Sequence, residues 1–219
     1  MKRTKLFSLS IVSILALTGA IVSPQGASAL TITSTVECGD NPSRTIYPNT
    51  AINGDCTIGG NSIERLVGDG ADEWTVWDFN FTEDVGFSSF LDVVNSGRSL
   101  ESALLTLTAI PKDRLITGDV VRIQGLPRLR LTDITEIPPL HQPFTFSIDL
   151  LTTTANPYTS EQILDKFTDP SHTGVLSMHY QDDAIISSAK LELKTTPEPS
   201  FLFGLLGVSV LGVWKQKMK

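Results

Sequence analysis

Short runs in which hydrophobic and polar residues alternate, set between clusters of turn formers, dominate the middle of the chain. Residues 30–36 and 45–47 are β-rich and lie among Gly39, Asp40, Asn41, Pro42, Pro48, Asn49, Asn53 and Gly54. Residues 74–81 (WTVWDFNF) put Trp74, Val76 and Asp78 on one face of a strand and Thr75, Trp77, Phe79 and Phe81 on the other. Residues 103–110 alternate around Leu105 and Leu107 and stop at Pro111; 119–123, 144–150, 174–180 and 185–194 follow in the same manner. One helix is expected over 160–167, with Ser160 as N-cap, Glu161 in the first turn and Ile163, Leu164 and Phe167 on one face. Short strands separated by turns, without crossover helices, predict an all-β fold: an antiparallel β-sandwich, jelly-roll or Ig-like, with one short helix.

A pattern recurs within the body. Ser102-Ala103-Leu104-Leu105-Thr106-Leu107 and Ser188-Ala189-Lys190-Leu191-Glu192-Leu193 share the form S-A-x-L-x-L, with the alanine and two leucines on one face. Two such strands suit neighbouring core positions, although a six-residue match also arises by coincidence.

The ends change the picture of where the protein works. Lys2, Arg3 and Lys5 precede an apolar run from Leu6 to Val22, and Ala27-Ser28-Ala29 is a small-residue cleavage pattern. This predicts a secretory signal peptide over 1–29 with a helical apolar segment. At the other end, Pro197-Glu198-Pro199 precedes fourteen residues from Phe201 to Trp214 and then Lys215, Lys217 and Lys219. That run is short for a bilayer span, which takes about 20 apolar residues. Its lysines fit an inner-side end, so residues 196–219 predict a C-terminal transmembrane helix that holds the chain in the membrane before processing.

These last residues resemble the PEP-CTERM sorting signal of Gram-negative bacteria and cyanobacteria. The resemblance is limited to the C-terminal signal, and here the basic end is lysine alone, where arginine is common. It implies recognition of Pro197, Glu198 and Pro199 by an exosortase and delivery across the inner membrane to the cell envelope or the extracellular matrix. An ordinary membrane anchor is the alternative.

Between the ends, the segment from Leu30 to Thr196 carries 11 basic and 23 acidic residues, net −12. Such a body disfavours nucleic acid and anionic lipid as partners. Its two cysteines, Cys38 and Cys56, are expected to form a disulfide, which excludes a reducing cytosol as the working compartment. The bridge would close a loop of about 19 residues and contribute roughly 3 kcal/mol.

Candidate chemistry is sparse. The sequence has no H-E-x-x-H, nucleophile elbow, phosphate loop or paired CxxC, and its histidines, His141, His172 and His179, stand in no such motif. Asp69, Asp72 and Glu73 crowd a Gly-bearing loop and offer oxygen ligands for calcium, or simply a polar turn before a strand. Asp182-Asp183 reads as a hairpin turn. Trp74 and Trp77, with Tyr47, Tyr158 and Tyr180, offer stacking faces for sugar rings or ordinary packing. The sequence therefore predicts a body over 30–195 that is not an enzyme and that contacts exopolysaccharide in an envelope or biofilm matrix. A purely structural or adhesive surface protein is the alternative, and a secreted hydrolase a third reading.

Overall fold

The computed structural model describes residues 28–60, 65–112 and 118–197. The expected signal helix, the expected transmembrane helix and most of the expected sorting motif, Glu198 and Pro199 included, lie outside those residues. Among the described residues no helix is long and apolar enough to cross a membrane.

The described chain is mostly β. In order it forms β1 (Thr31–Glu37), β2 (Thr45–Ile46), β3 (Ala51–Asn53), β4 (Cys56–Gly59), β5 (Leu66–Val67), β6 (Glu73–Asn80), α1 (Phe87–Asn95), β7 (Leu100–Pro111), β8 (Val120–Ile123), β9 (Leu129–Arg130), β10 (Phe144–Asp149), α2 (Ser160–Phe167), β11 (Val175–Asp182) and β12 (Ala184–Thr195). Two main sheets result, with strand orders β1-β12-β7-β10 and β3-β4-β6-β11-β8-β9, and β2-β5 forms a small ribbon. Every pairing is antiparallel.

Alternation decides which face is buried. Ala103, Leu105, Leu107, Ala189, Leu191 and Leu193 of the four-stranded sheet and Phe79, Leu176, Met178 and Tyr180 of the six-stranded sheet belong to one hydrophobic cluster. Each large side chain buried there contributes about 1.5–3 kcal/mol. The repeated S-A-x-L-x-L strands are direct neighbours. Antiparallel register sets Ala103 opposite Leu193, Leu105 opposite Leu191 and Leu107 opposite Ala189. The small residue of each copy faces a large residue of the other, which keeps the layer level.

The described residues of the body form two helices where one was expected. In α2 the N-cap is Thr159, one residue before the expected Ser160; its hydroxyl accepts from the Gln162 N–H, and Gln162 returns the bond in a capping box. Ser160 instead accepts from the Leu100 N–H at 2.6 Å. The unexpected α1 lays Phe90 fully into the core and packs Phe87, Leu91 and Val94 against it. Phe87 and Phe90 meet Phe167 of α2 edge-on at ring distances of 6.0 and 5.6 Å.

Cys38 and Cys56 are disulfide-bonded, with Cα atoms 5.0 Å apart, and both are buried. The bridge ties the end of β1 in one sheet to the start of β4 in the other. A disulfide there is consistent with an oxidising, extracytoplasmic compartment.

Candidate functional site

The acidic loop folds around its own glutamate. Glu73 opens β6 and is 2% exposed. Its Oε1 accepts from the backbone N–H groups of Gly68 and, at 2.9 Å, Asp69, and its Oε2 accepts from Gly70 at 3.0 Å. The positive φ angles of Gly68 and Gly70, 93° and 83°, turn these N–H groups inward. Burial pushes the Glu73 carboxyl above its ordinary 4.5, against the opposing pull of the three N–H donors. Its oxygens are thus committed to the loop, and Asp69 turns inward to accept from Ala71 at 3.2 Å.

The expected ligand set of Asp69, Asp72 and Glu73 is therefore split. Asp72 meets a different pair: Asp72, Asp182 and Asp183 place one carboxylate oxygen each within 4.8 Å of one another. The Asp72 N–H donates to Asp183 at 3.0 Å. Asp182 and Asp183 do not form a hairpin turn as expected; they mark the corner where the chain leaves β11 in one sheet and enters β12 in the other. Three carboxylates at this spacing match the hard-oxygen preference of a divalent cation.

The aromatic candidates also separate. Trp77 is 2% exposed, stands edge-on to Phe79 at 6.1 Å and belongs to the core, so it offers no face to a ligand. Tyr158 and Tyr180 are buried too. Tyr158 donates to the Pro127 carbonyl at 2.7 Å, and burial pushes its hydroxyl up to about 12. Tyr180 donates to buried Asp119. Two are exceptions: Tyr47 is exposed just after β2, and Trp74 is half-buried on the outer face of the six-stranded sheet.

Strand register builds a platform around Trp74. One row across the sheet reads Gly59, Trp74, Gln181, Val120, Arg130. The next reads Ile52, Thr57, Val76, His179, Arg122. Beyond it Asp78 pairs with Ser177, which donates its hydroxyl to the Asp78 carboxylate, while the Gln124 N–H donates to the Ser177 carbonyl at 2.9 Å. Five strands at about 4.8 Å spacing make this surface roughly 19 Å wide. Gly59 leaves room for the indole, whose six-membered ring covers its α-carbon. Partial burial, then the Arg122 charge, pushes His179 below its ordinary 6.5.

At the far end of β8 the platform runs into a cavity of about 250 Å³ lined by Gln124, Gly125, Lys166, Asp169, His172 and Ser177, among others. His172 is exposed there and His141 lies in an exposed loop at φ 58°. Trp74 was legible in the sequence; Arg122, His179 and Gln181 were not, because only strand pairing places them beside it.

No family model, curated protein or solved structure matches the chain.

Proposed function

We propose that the protein is a PEP-CTERM-sorted envelope or matrix protein, a β-sandwich that binds exopolysaccharide on the outer face of its six-stranded sheet and performs no catalysis. The observation that carries this reading is Trp74, laid over Gly59 in an outward-facing row with Gln181 beside it and His179 and Arg122 in the next row. An aromatic plane rimmed by hydrogen-bonding side chains suits a sugar ring, which has an apolar face and polar edges. The rows hold a single carboxylate, Asp78, already engaged by Ser177, whereas glycoside hydrolysis uses two. The buried disulfide supports an oxidising destination, and the terminal motifs supply the route.

The test is co-sedimentation of the mature protein with the producing cells' extracellular polysaccharide, with wild type compared to Trp74→Ala. Retention that falls in the variant supports the reading. A folded wild type that stays in the supernatant overturns it in favour of a structural or adhesive role. Repeating the assay in EDTA reports on a cation at Asp72, Asp182 and Asp183. Intact mass of the mature protein tests the sorting step: retention of Lys215, Lys217 and Lys219 sinks it.

A further inference from the structure

The body is strongly acidic, yet one stretch of it is not. Residues 120–131, which contain β8, its turn and β9, carry Arg122, Arg128 and Arg130 and no aspartate or glutamate. Arg128 and Arg130 are exposed and Arg122 is half-buried. None of the three forms an ion pair among the described residues. Arg130 ends the Trp74 row and Arg122 ends the His179 row, so the arginines border the aromatic platform.

The positive border continues past the end of β8. Lys166 of α2 reaches across the turn, and its Nζ would lie 3.0 Å from a Cβ built at Gly125. It lines the 250 Å³ cavity with His172, Gln124 and Ser177. The one carboxylate in that lining, Asp169, accepts from the Ser171 N–H at 2.9 Å and from the Ser171 hydroxyl. From the row of Val120 and Arg130 to the level of Gln124 the strip spans about 13 Å along β8.

We propose that this strip, formed by Arg122, Arg128, Arg130 and Lys166, selects an anionic polysaccharide: a chain whose sugars bear carboxylates, as in a polyuronate. The proposal rests on the reading that the outer face of the six-stranded sheet contacts polysaccharide, and it names the class. Arginine forks pair with carboxylates in bidentate geometry while Trp74 takes a ring face. The net negative charge of the body does not prevent this. Interactions beyond about 10 Å are screened at moderate salt, so a bound chain feels the strip and the two nearby carboxylates, Asp78 and Asp169, rather than the distant acids. Nucleic acid is the less favoured polyanion. Its affinity rests on neutralising many closely spaced phosphates, which four cations on an acidic body do little to supply.

The experiment measures binding of the full mature protein to polygalacturonate, to neutral dextran, to the cells' own polysaccharide and to single-stranded DNA, each at low and high salt. Three proteins are compared: wild type, the combined variant Arg122→Gln/Arg128→Gln/Arg130→Gln, and Trp74→Ala. Near-UV circular dichroism confirms that each is folded. The expected result is a preference of about tenfold or more for polygalacturonate over dextran, lost in the arginine variant and reduced by salt. Trp74→Ala is expected to weaken binding to every glycan. Binding of the cells' polysaccharide without charge preference, untouched by the arginine changes, overturns the proposal and leaves the platform reading standing. DNA binding as tight as polygalacturonate binding overturns the glycan assignment in favour of a general polyanion surface. Failure of wild type to bind any glycan removes both.

Discussion

The indole of Trp74 lies on the α-carbon of Gly59, its cross-strand partner: a methyl group built at Gly59 would sit 2.0 Å from Cζ2 and 2.3 Å from Cε2. The ring position is therefore set by the absence of a side chain on the neighbouring strand. Gly59→Ala is expected to lift the ring, costing about 1–3 kcal/mol through overpacking. Near-UV circular dichroism should change, and glycan retention should fall in the same direction as expected for Trp74→Ala. Unchanged spectra and retention would show that the ring position does not depend on Gly59.

Glu73 holds the 68–70 loop through three backbone N–H groups. Glu73→Ala would leave these donors without their acceptor in a buried place. The expected loss is about 2–4 kcal/mol, read as a lower urea midpoint. Glu73→Gln keeps one acceptor oxygen and should lose less. Equal midpoints for Glu73→Ala and wild type would show that water replaces the carboxylate without cost.

Two groups give pH dependences of opposite sign. His179 has its folded pKa below 6.5, so the unfolded chain takes up the proton first. Its contribution is complete above 6.5 and is lost as pH falls through the folded value. The stability advantage of wild type over His179→Asn should therefore be larger above pH 6.5 than below it. Glu73 has its folded pKa above 4.5, so its contribution is complete below 4.5 and is lost as pH rises through the folded value. Wild type should then gain on Glu73→Gln as pH falls toward 4.5. Urea midpoints across this range check both signs.

The Cys38–Cys56 bridge closes a short loop with a sequence separation of 18 and joins strands of different sheets. Reduction is expected to lower stability by about 3 kcal/mol, seen as a shift of the urea midpoint with reductant. An identical midpoint with and without reductant would show that the core alone fixes these strands.

Much of this was legible in the sequence, for physical reasons that vary from element to element. The alternation in 74–81 places Trp74 and Trp77 on opposite faces because neighbouring side chains of a strand point to opposite sides, but which face is buried is decided by the packing of the two sheets. Phe87, Phe90, Leu91 and Val94 of α1 already have helical spacing. Gly86, Ser88 and Ser89 among them weaken that signal, and packing against Phe167 holds the stretch as a helix. Asp182-Asp183 looked like a turn because paired aspartates favour turns, but the sequence carries no sign that the next strand joins another sheet. Glu73 looked like a ligand because its carboxylate was countable, whereas the backbone N–H groups that occupy it were not.

The pairing of β12 bears on how the body would carry force. β12 lies between β1, which pairs with residues 188–194, and β7, which pairs along its length to Thr195. At its end Leu30 donates to the Thr195 hydroxyl at 3.0 Å and Thr195 donates back to the Leu30 carbonyl at 2.9 Å. A pull on the chain after Thr195, resisted by a glycan gripped on the other sheet, would run along the axis of β12 and load both ladders in shear. Their hydrogen bonds would then resist together. A pull that separates Leu30 from Thr195 would instead open the β1 ladder bond by bond from that end. A body held beyond Thr195 and gripped on the outer face of its six-stranded sheet would thus bear tension, and would yield when drawn apart between Leu30 and Thr195.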